Sequence, residues 1–248
     1  MAEMKKMKTS ACVKTFGAFV RLLIFAILKF TTVKIAVFGT GGVGATIGSK
    51  LIELGHEVMM GSRTADNSKA MAWVGKSGPL ASQGRYETAA AFGEIIFNCT
   101  RGDGTLAALQ QAGKENLAGK VIIDVSNPLD SSQGMPPSLF VSNTNSLGEE
   151  IQKAFPESKV VKTLNTLTAS LMVNPRQLND THNVFVSGND AQAKQEVKAI
   201  LGQFGWQEKE IIDLGEIATA RGAESYLLLW LRIWMSTKNG MFNIKIVS

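Results

Sequence analysis

Two cysteines, Cys12 and Cys99, and two histidines, His56 and His182, leave this 248-residue chain little reactive chemistry of its own. The cysteines are far apart and form no CxxC, so a disulfide framework is excluded and a reducing cytoplasm is the expected setting. The scarcity of histidine and cysteine leaves no cluster with metal-ligand spacing, so no metal is expected. A Ser-His-Asp triad lacks candidates for the same reason, and no catalytic side chain can be named. Long hydrophobic runs are also missing. The longest run near the amino terminus, Leu22 to Leu28 between Arg21 and Lys29, is far short of the roughly 20 residues a spanning helix needs. Repeats and low-complexity tracts are absent too.

Charge of one sign is confined to one end. Residues 1–32 carry Lys5, Lys6, Lys8, Lys14, Arg21 and Lys29 against Glu3, which accounts for the whole net charge of +5. The body from Val33 onward is balanced, so a basic face for nucleic acid is not indicated. Residues 16–30 (FGAFVRLLIFAILKF) follow the lysines. They allow a signal peptide, a basic amphipathic surface helix, or a segment outside the functional fold. We expect residues 1–32 to be an extension the fold does not need, and any membrane association to run through them alone.

What is present begins at once. Val33-Lys34-Ile35-Ala36-Val37-Phe38 has the β-branched, apolar character of a buried strand. Gly39-Thr40-Gly41-Gly42-Val43-Gly44 follows without a gap. Ile47, Leu51 and Leu54 then recur at helical spacing, Gly55 stops the helix, and His56 to Met60 reads as a second strand. The order strand, Gly-x-Gly-x-x-Gly, helix, strand is that of a dinucleotide site. Gly39 permits the tight turn, Gly41 lets the backbone approach a pyrophosphate, and Gly44 brings the helix close to the strand. Phosphates then lie at the helix N-terminus, where free N–H groups and the dipole favour negative charge.

The second strand ends in Gly61-Ser62-Arg63-Thr64, with no acid before Asp66. An NAD site usually places an acid there to hold the ribose hydroxyls. A guanidinium instead grips a 2′-phosphate, with Ser62 and Thr64 as hydroxyl donors beside it, so the expected cofactor is NADP(H).

Two further buried strands, Glu94 to Cys99 and Lys120 to Val125, flank a helix over Thr105–Gln111. Another runs from Lys159 to Leu164. This alternation predicts a Rossmann-type, doubly wound, mostly parallel sheet over residues 33–166, with ligands at the carboxyl ends of the strands. Residues 167–248 then form a smaller C-terminal substrate or dimerisation region. It has a strand at Val184–Ser187, a helix from Asn189 to Phe204, a strand at Ile211-Ile212 and a helix from about Ile217 to Met235. Tyr226, Leu227, Leu229, Trp230, Ile233 and Trp234 exceed one helical stripe, which predicts a homodimer on that helix.

Candidate residues at the strand ends are few. Thr100 is placed to contact the cofactor. Asn127 and Asn165 suit the nicotinamide ribose or carboxamide, or else turn formation. Asp124 is a site carboxylate or a buried, hydrogen-bonded one. Cys99 reads as a small core residue, His56 as structural and His182 as solvated. No histidine, lysine or tyrosine is expected at the strand ends as a proton donor.

The segments VKIAVFGTGGVGATIGSKLIELGHEVMMGSR, KVIIDVSNPL, KVVKTLNT and VFVSGNDAQAK, with FGW and Asp213-Leu214-Gly215, resemble the family of coenzyme F420-dependent NADP oxidoreductases over residues 33–248. The resemblance implies hydride exchange between NADP(H) and a small-molecule acceptor, a deazaflavin (coenzyme F420) or a flavin as co-substrate. The loop Cys-Thr-Arg-Gly-Asp-Gly departs from a family pattern that often carries proline and an aromatic there, which bears on the acceptor. Two other classes are open: an imine or carbonyl reductase, which needs a proton donor, and a non-catalytic NADP(H) sensor.

Overall fold

The computed structural model describes residues 32–247, so the apolar segment 16–30 and nearly all of the expected extension lie outside the described residues. From Val33 onward the chain forms one compact unit. Strand β1 (Lys34–Phe38) leads through the glycine loop into α1 (Gly42–Glu53) and β2 (Glu57–Ser62). Then come α2 (Ser68–Ser77), β3 (Ala81–Arg85), α3 (Tyr86–Phe92), β4 (Ile95–Asn98), α4 (Gly102–Ala112), the short α5 (Lys114–Leu117) and β5 (Val121–Asp124). A small hairpin, β6 (Leu129–Asp130) and β7 (Ser138–Leu139), precedes α6 (Leu147–Ala154) and β8 (Lys159–Thr163). The chain closes with α7 (Ala169–Val173), β9 (Val184–Gly188), α8 (Ala191–Gln203), β10 (Ile211–Gly215) and α9 (Ala220–Thr237).

The main sheet has eight strands in the order β10-β9-β8-β5-β4-β1-β2-β3. From β3 to β8 neighbours are parallel, which gives the doubly wound order with its reversal at β1 and β4. Strand β9 is antiparallel to β8, and β10 is parallel to β9. The residues after 166 therefore extend the same sheet rather than standing apart from it.

Both faces are covered, which is why the central strands read as continuous apolar runs. Alternate residues go to opposite sides: Ile35 and Val37 pack with Ile47 and Leu51 of α1, whereas Ala36 and Phe38 pack with Ala89 of α3 and Leu109 of α4. Among the described residues no helix is long and apolar enough to cross a membrane.

The histidines divide. His56 accepts from Val33 N at 3.2 Å and meets Gln203 Oε1 at 2.7 Å, at the amino end of β2 and far from the glycine loop. His182, expected in solvent, is buried. The carboxy-terminal tail returns over it: Asn243 Nδ2 lies 2.7 Å from its Nδ1, and Pro175 O lies 2.9 Å from its Nε2. Trp206 packs edge-on at 4.9 Å between ring centres. A tail distant in sequence removes this histidine from water.

Candidate functional site

The glycines of the first loop differ in what they allow. At Gly39 φ is +111°, and a Cβ would lie 2.5 Å from Cys99 O. At Gly44 a Cβ would collide with Gly39 O. Both positions need glycine for the chain itself. Around Gly41 and Gly42, by contrast, no atom lies within 4 Å of a built Cβ, so the backbone is open to a ligand. No side chain caps α1, whose N-cap is Gly41. Its first N–H groups and the positive end of its dipole thus face an open cradle, with Thr40 beside it and Val43 packed inward against the core.

Ser62 is buried, and its hydroxyl donates to Thr64 O at 2.6 Å. It fixes the turn that presents Arg63, and that hydrogen is not available to a phosphate. Arg63 lines a cavity of about 580 Å³ together with Gly39, Gly41, Tyr86, Thr100 and Lys69. This volume falls within the roughly 300–1,000 Å³ common for small-molecule sites. Thr64 does not line it. The sequence reading missed Lys69, although a signal was present. Asn67 N-caps α2 by accepting from Lys69 N and Ala70 N, both at 3.1 Å, and that cap sets Lys69 in the first turn beside Arg63. Two cations, a bare helix N-terminus and an open glycine backbone fit a dinucleotide that carries an extra phosphate on its adenosine ribose.

Cys99 also lines this cavity. Burial, and after it the charge of Asp124, pushes its thiol well above the ordinary range, so it stays protonated and is not a nucleophile. Thr100 is held from behind: its Oγ1 lies 2.7 Å from Asn98 Oδ1 and 2.8 Å from Thr105 Oγ1.

The strand ends hold a charged network that was not anticipated. Lys162, on β8, is buried with its ammonium 2.7 Å from Asp124 Oδ2 on β5 and 2.7 Å from Glu224 Oε1 on α9. Its third hydrogen goes to Ser126 O at 2.6 Å. Burial acts to lower the Lys162 pKa, but the attraction of Asp124 and Glu224 outweighs it, and the group stays charged. A lysine thus stands at a strand end where none was expected as a proton donor. With all three hydrogens engaged, however, Lys162 has none for a substrate. Breaking such a set by removing one partner costs about 3–5 kcal/mol. Sequence could not show it, because the three charges come from distant positions.

Asn127 and Asn165 bond to each other. Asn127 Nδ2 donates to Asn165 O and Asn165 Nδ2 to Asn127 Oδ1, both at 2.9 Å. Asn165 Nδ2 also reaches Ala223 O of α9 at 3.1 Å. The pair ties the β5 loop to the β8 loop, Asn165 ties both to α9, and neither amide lines the cavity of Arg63.

A second cavity of about 640 Å³ adjoins the first across Arg101 and Asp103, which pair at 2.7 Å and line both. Its apolar lining is Leu106, Leu129, Leu147 and the exposed Phe140, and its rim carries Asp130 and Glu150.

A doubly wound sheet with a glycine-loop cradle and two cations at the end of β2 defines a dinucleotide-dependent protein of the NADP type. The description "NADP oxidoreductase coenzyme F420-dependent" matches residues 34–128. A solved structure of a proposed F420-dependent NADP-reductase from Arthrobacter sp. FB24 is 49% identical, with a TM-score of 0.83, over 87% of this chain and 100% of that one. The chain belongs to this family of NADP oxidoreductases. It is also similar to Metalloreductase STEAP3 of Rattus norvegicus, 29% identical over 202 residues, covering 81% of this chain and 38% of the relative. Metalloreductase STEAP2 of Homo sapiens is 27% identical over 82% of this chain and 37% of its own length. The chain thus spans about two-fifths of these curated relatives. A reductive aminase from Aspergillus terreus in complex with NADPH and ethyl levulinate shares the fold, with a TM-score of 0.60 at 17% identity over 84% of this chain and 63% of that one.

Proposed function

We propose that the protein exchanges hydride between NADP(H) and a flat, flavin-type ring, the deazaflavin coenzyme F420 or a flavin. The observation that carries this reading is the second cavity, lined in part by Leu106, Leu129, Phe140 and Leu147 and sharing Arg101 and Asp103 with the dinucleotide cavity. The family assignment, and the 49% identity to a proposed F420-dependent reductase, support the same acceptor class. NADPH, when bound, supplies a hydride at the nicotinamide. The chain's part is to hold and align. The loop from Gly39 to Gly44 receives the pyrophosphate, Arg63 and Lys69 hold the 2′-phosphate, and Thr100 lines the same cavity beside Arg101. Leu106, Leu129 and Phe140 offer the acceptor ring apolar surface. Alignment of this kind needs no protein acid: hydride adds to the central ring, at carbon in a deazaflavin and at nitrogen in a flavin, and the negative charge left on the pyrimidine side of the ring takes its proton from water.

Reduction of an imine or carbonyl needs a proton donor, and Lys162 does not fill that role with its hydrogens engaged and its side chain buried. The test is NADPH oxidation followed at its absorbance band with deazaflavin, flavin, imine and carbonyl acceptors, using NADPH labelled with deuterium at C4. The expected result is label retained at the ring carbon of a reduced deazaflavin or, with a flavin, whose reduced ring nitrogen exchanges its hydrogen with water, a primary deuterium isotope effect on NADPH oxidation. Reduction of an imine or carbonyl alone would replace this reading, and binding without turnover on any acceptor would make the protein a sensor.

A further inference from the structure

We propose that Lys162 is a positioning residue for the nicotinamide half of the dinucleotide, and that it leaves the adenosine half untouched. The inference rests on NADP(H) lying across the carboxyl edge of the sheet, as the glycine loop and Arg63 place it. In a doubly wound sheet the two halves of a dinucleotide fall on either side of the first strand. Here the adenosine side is β2 with Arg63 and Lys69, and the nicotinamide side is the ends of β4 and β5.

The Lys162 network is built into that second side. Its ammonium holds Ser126 O at 2.6 Å and Asp124 Oδ2 at 2.7 Å. Asp124 Oδ1 in turn accepts from Ser126 N at 3.1 Å, Ser126 Oγ at 2.7 Å and Asn98 Nδ2 at 2.7 Å. Asn98 Oδ1 accepts from Thr100 Oγ1 at 2.7 Å. One cation thereby fixes the loop after β4 at Thr100 and the loop after β5 at Ser126. The other carboxylate, Glu224, brings in α9 and accepts from Leu147 N at 2.8 Å and Gly148 N at 3.1 Å. Two carboxylates against one ammonium leave a buried negative charge, and the N-terminus of α6 offsets it. All three hydrogens of the ammonium have acceptors, so the lysine has one geometry. No bond of the network reaches Ser62, Arg63 or Lys69.

The test separates the two halves by ligand. Binding of NADP⁺ and of adenosine 2′,5′-bisphosphate, which carries only the adenosine half, is measured by calorimetry on the full chain and on Lys162→Met. We expect NADP⁺ to bind at least about tenfold more weakly to the variant, with the bisphosphate changed by less than about twofold. A general loss of structure would weaken both equally. Equal loss, or no loss for NADP⁺, overturns the proposal. Should Lys162→Met fail to fold through its two facing carboxylates, Glu224→Gln, which keeps shape and volume, is judged by the same split. Failure of both variants to fold would assign the network to folding alone and also overturn the proposal. If the unaltered chain binds neither ligand, the dinucleotide placement is what fails, and the positioning role falls with it.

Discussion

Arg221 of α9 grips both carboxylate oxygens of Glu149 in the first turn of α6, at 2.8 Å from Nε and 2.5 Å from Nη2. The hydrogen bond from Arg221 is the main reason the Glu149 carboxyl is held below its ordinary range, and Ser146 adds to it. A carboxylate whose folded value is depressed adds stability above its unfolded value, near pH 4.3, and loses it as pH falls through the folded value. The unmodified protein should therefore exceed Arg221→Ala in thermal midpoint at pH 7, with the gap closing towards pH 3. A gap independent of pH would remove Glu149 from the account of acid sensitivity.

Cofactor choice should follow Arg63 and Lys69 together. Arg63→Asp places a negative charge where a 2′-phosphate lies, and loss of a charge-assisted contact of about 1.5–3 kcal/mol weakens NADPH roughly ten- to hundredfold. Lys69→Ala should weaken NADPH by a smaller factor, and neither change should weaken NADH. Direct titration of both cofactors checks this. Equal affinity of the unmodified protein for NADH and NADPH would sink it.

The rim of the second cavity should discriminate by charge. Asp130 is held ionised, chiefly because Ser132 N donates to it at 2.8 Å, and Glu150 stands on the same rim. Neither has an ion-pair partner among the described residues. Riboflavin and its 5′-phosphate share one ring, so a KM several-fold higher for the phosphate is expected, narrowing in Asp130→Asn/Glu150→Gln and at high salt. A phosphorylated acceptor must keep its tail outside this cavity. The same KM for both flavins would mean that the rim does not face the acceptor.

Assembly through α9 should survive in a smaller form than the sequence suggested. Leu227 is buried within the chain, and Trp230 stacks on Phe242 at 5.2 Å between ring centres. Leu228, Leu229 and Trp234 are left exposed, at 38%, 57% and 38%. We expect light scattering to report a dimer at micromolar concentration, and Leu229→Glu to shift it to monomer. A monomeric unmodified protein would refute this.

The sequence by itself determined the parts whose physics is local. A β-branched run, three glycines at set intervals and a helical repeat make β1, its loop and α1, because each depends on neighbours a few residues away. The absence of an acid after β2, with Arg63 in its place, likewise pointed to NADP(H). Strand β3 was not legible: Ala81-Ser82-Gln83-Gly84-Arg85 has no strand pattern, and it pairs because the edge of β2 offers it a ladder. Only the tertiary structure decided the rest. It buried His182 beneath a tail some sixty residues away, turned Asn127 and Asn165 towards each other, and set Lys162 between Asp124 and Glu224. A lysine in a strand carries no mark of where its charge will be neutralised. That depends on which carboxylates the neighbouring strand and the packed helix bring to it, here Asp124 of β5 and Glu224 of α9, each at 2.7 Å, and only the folded chain brings them there.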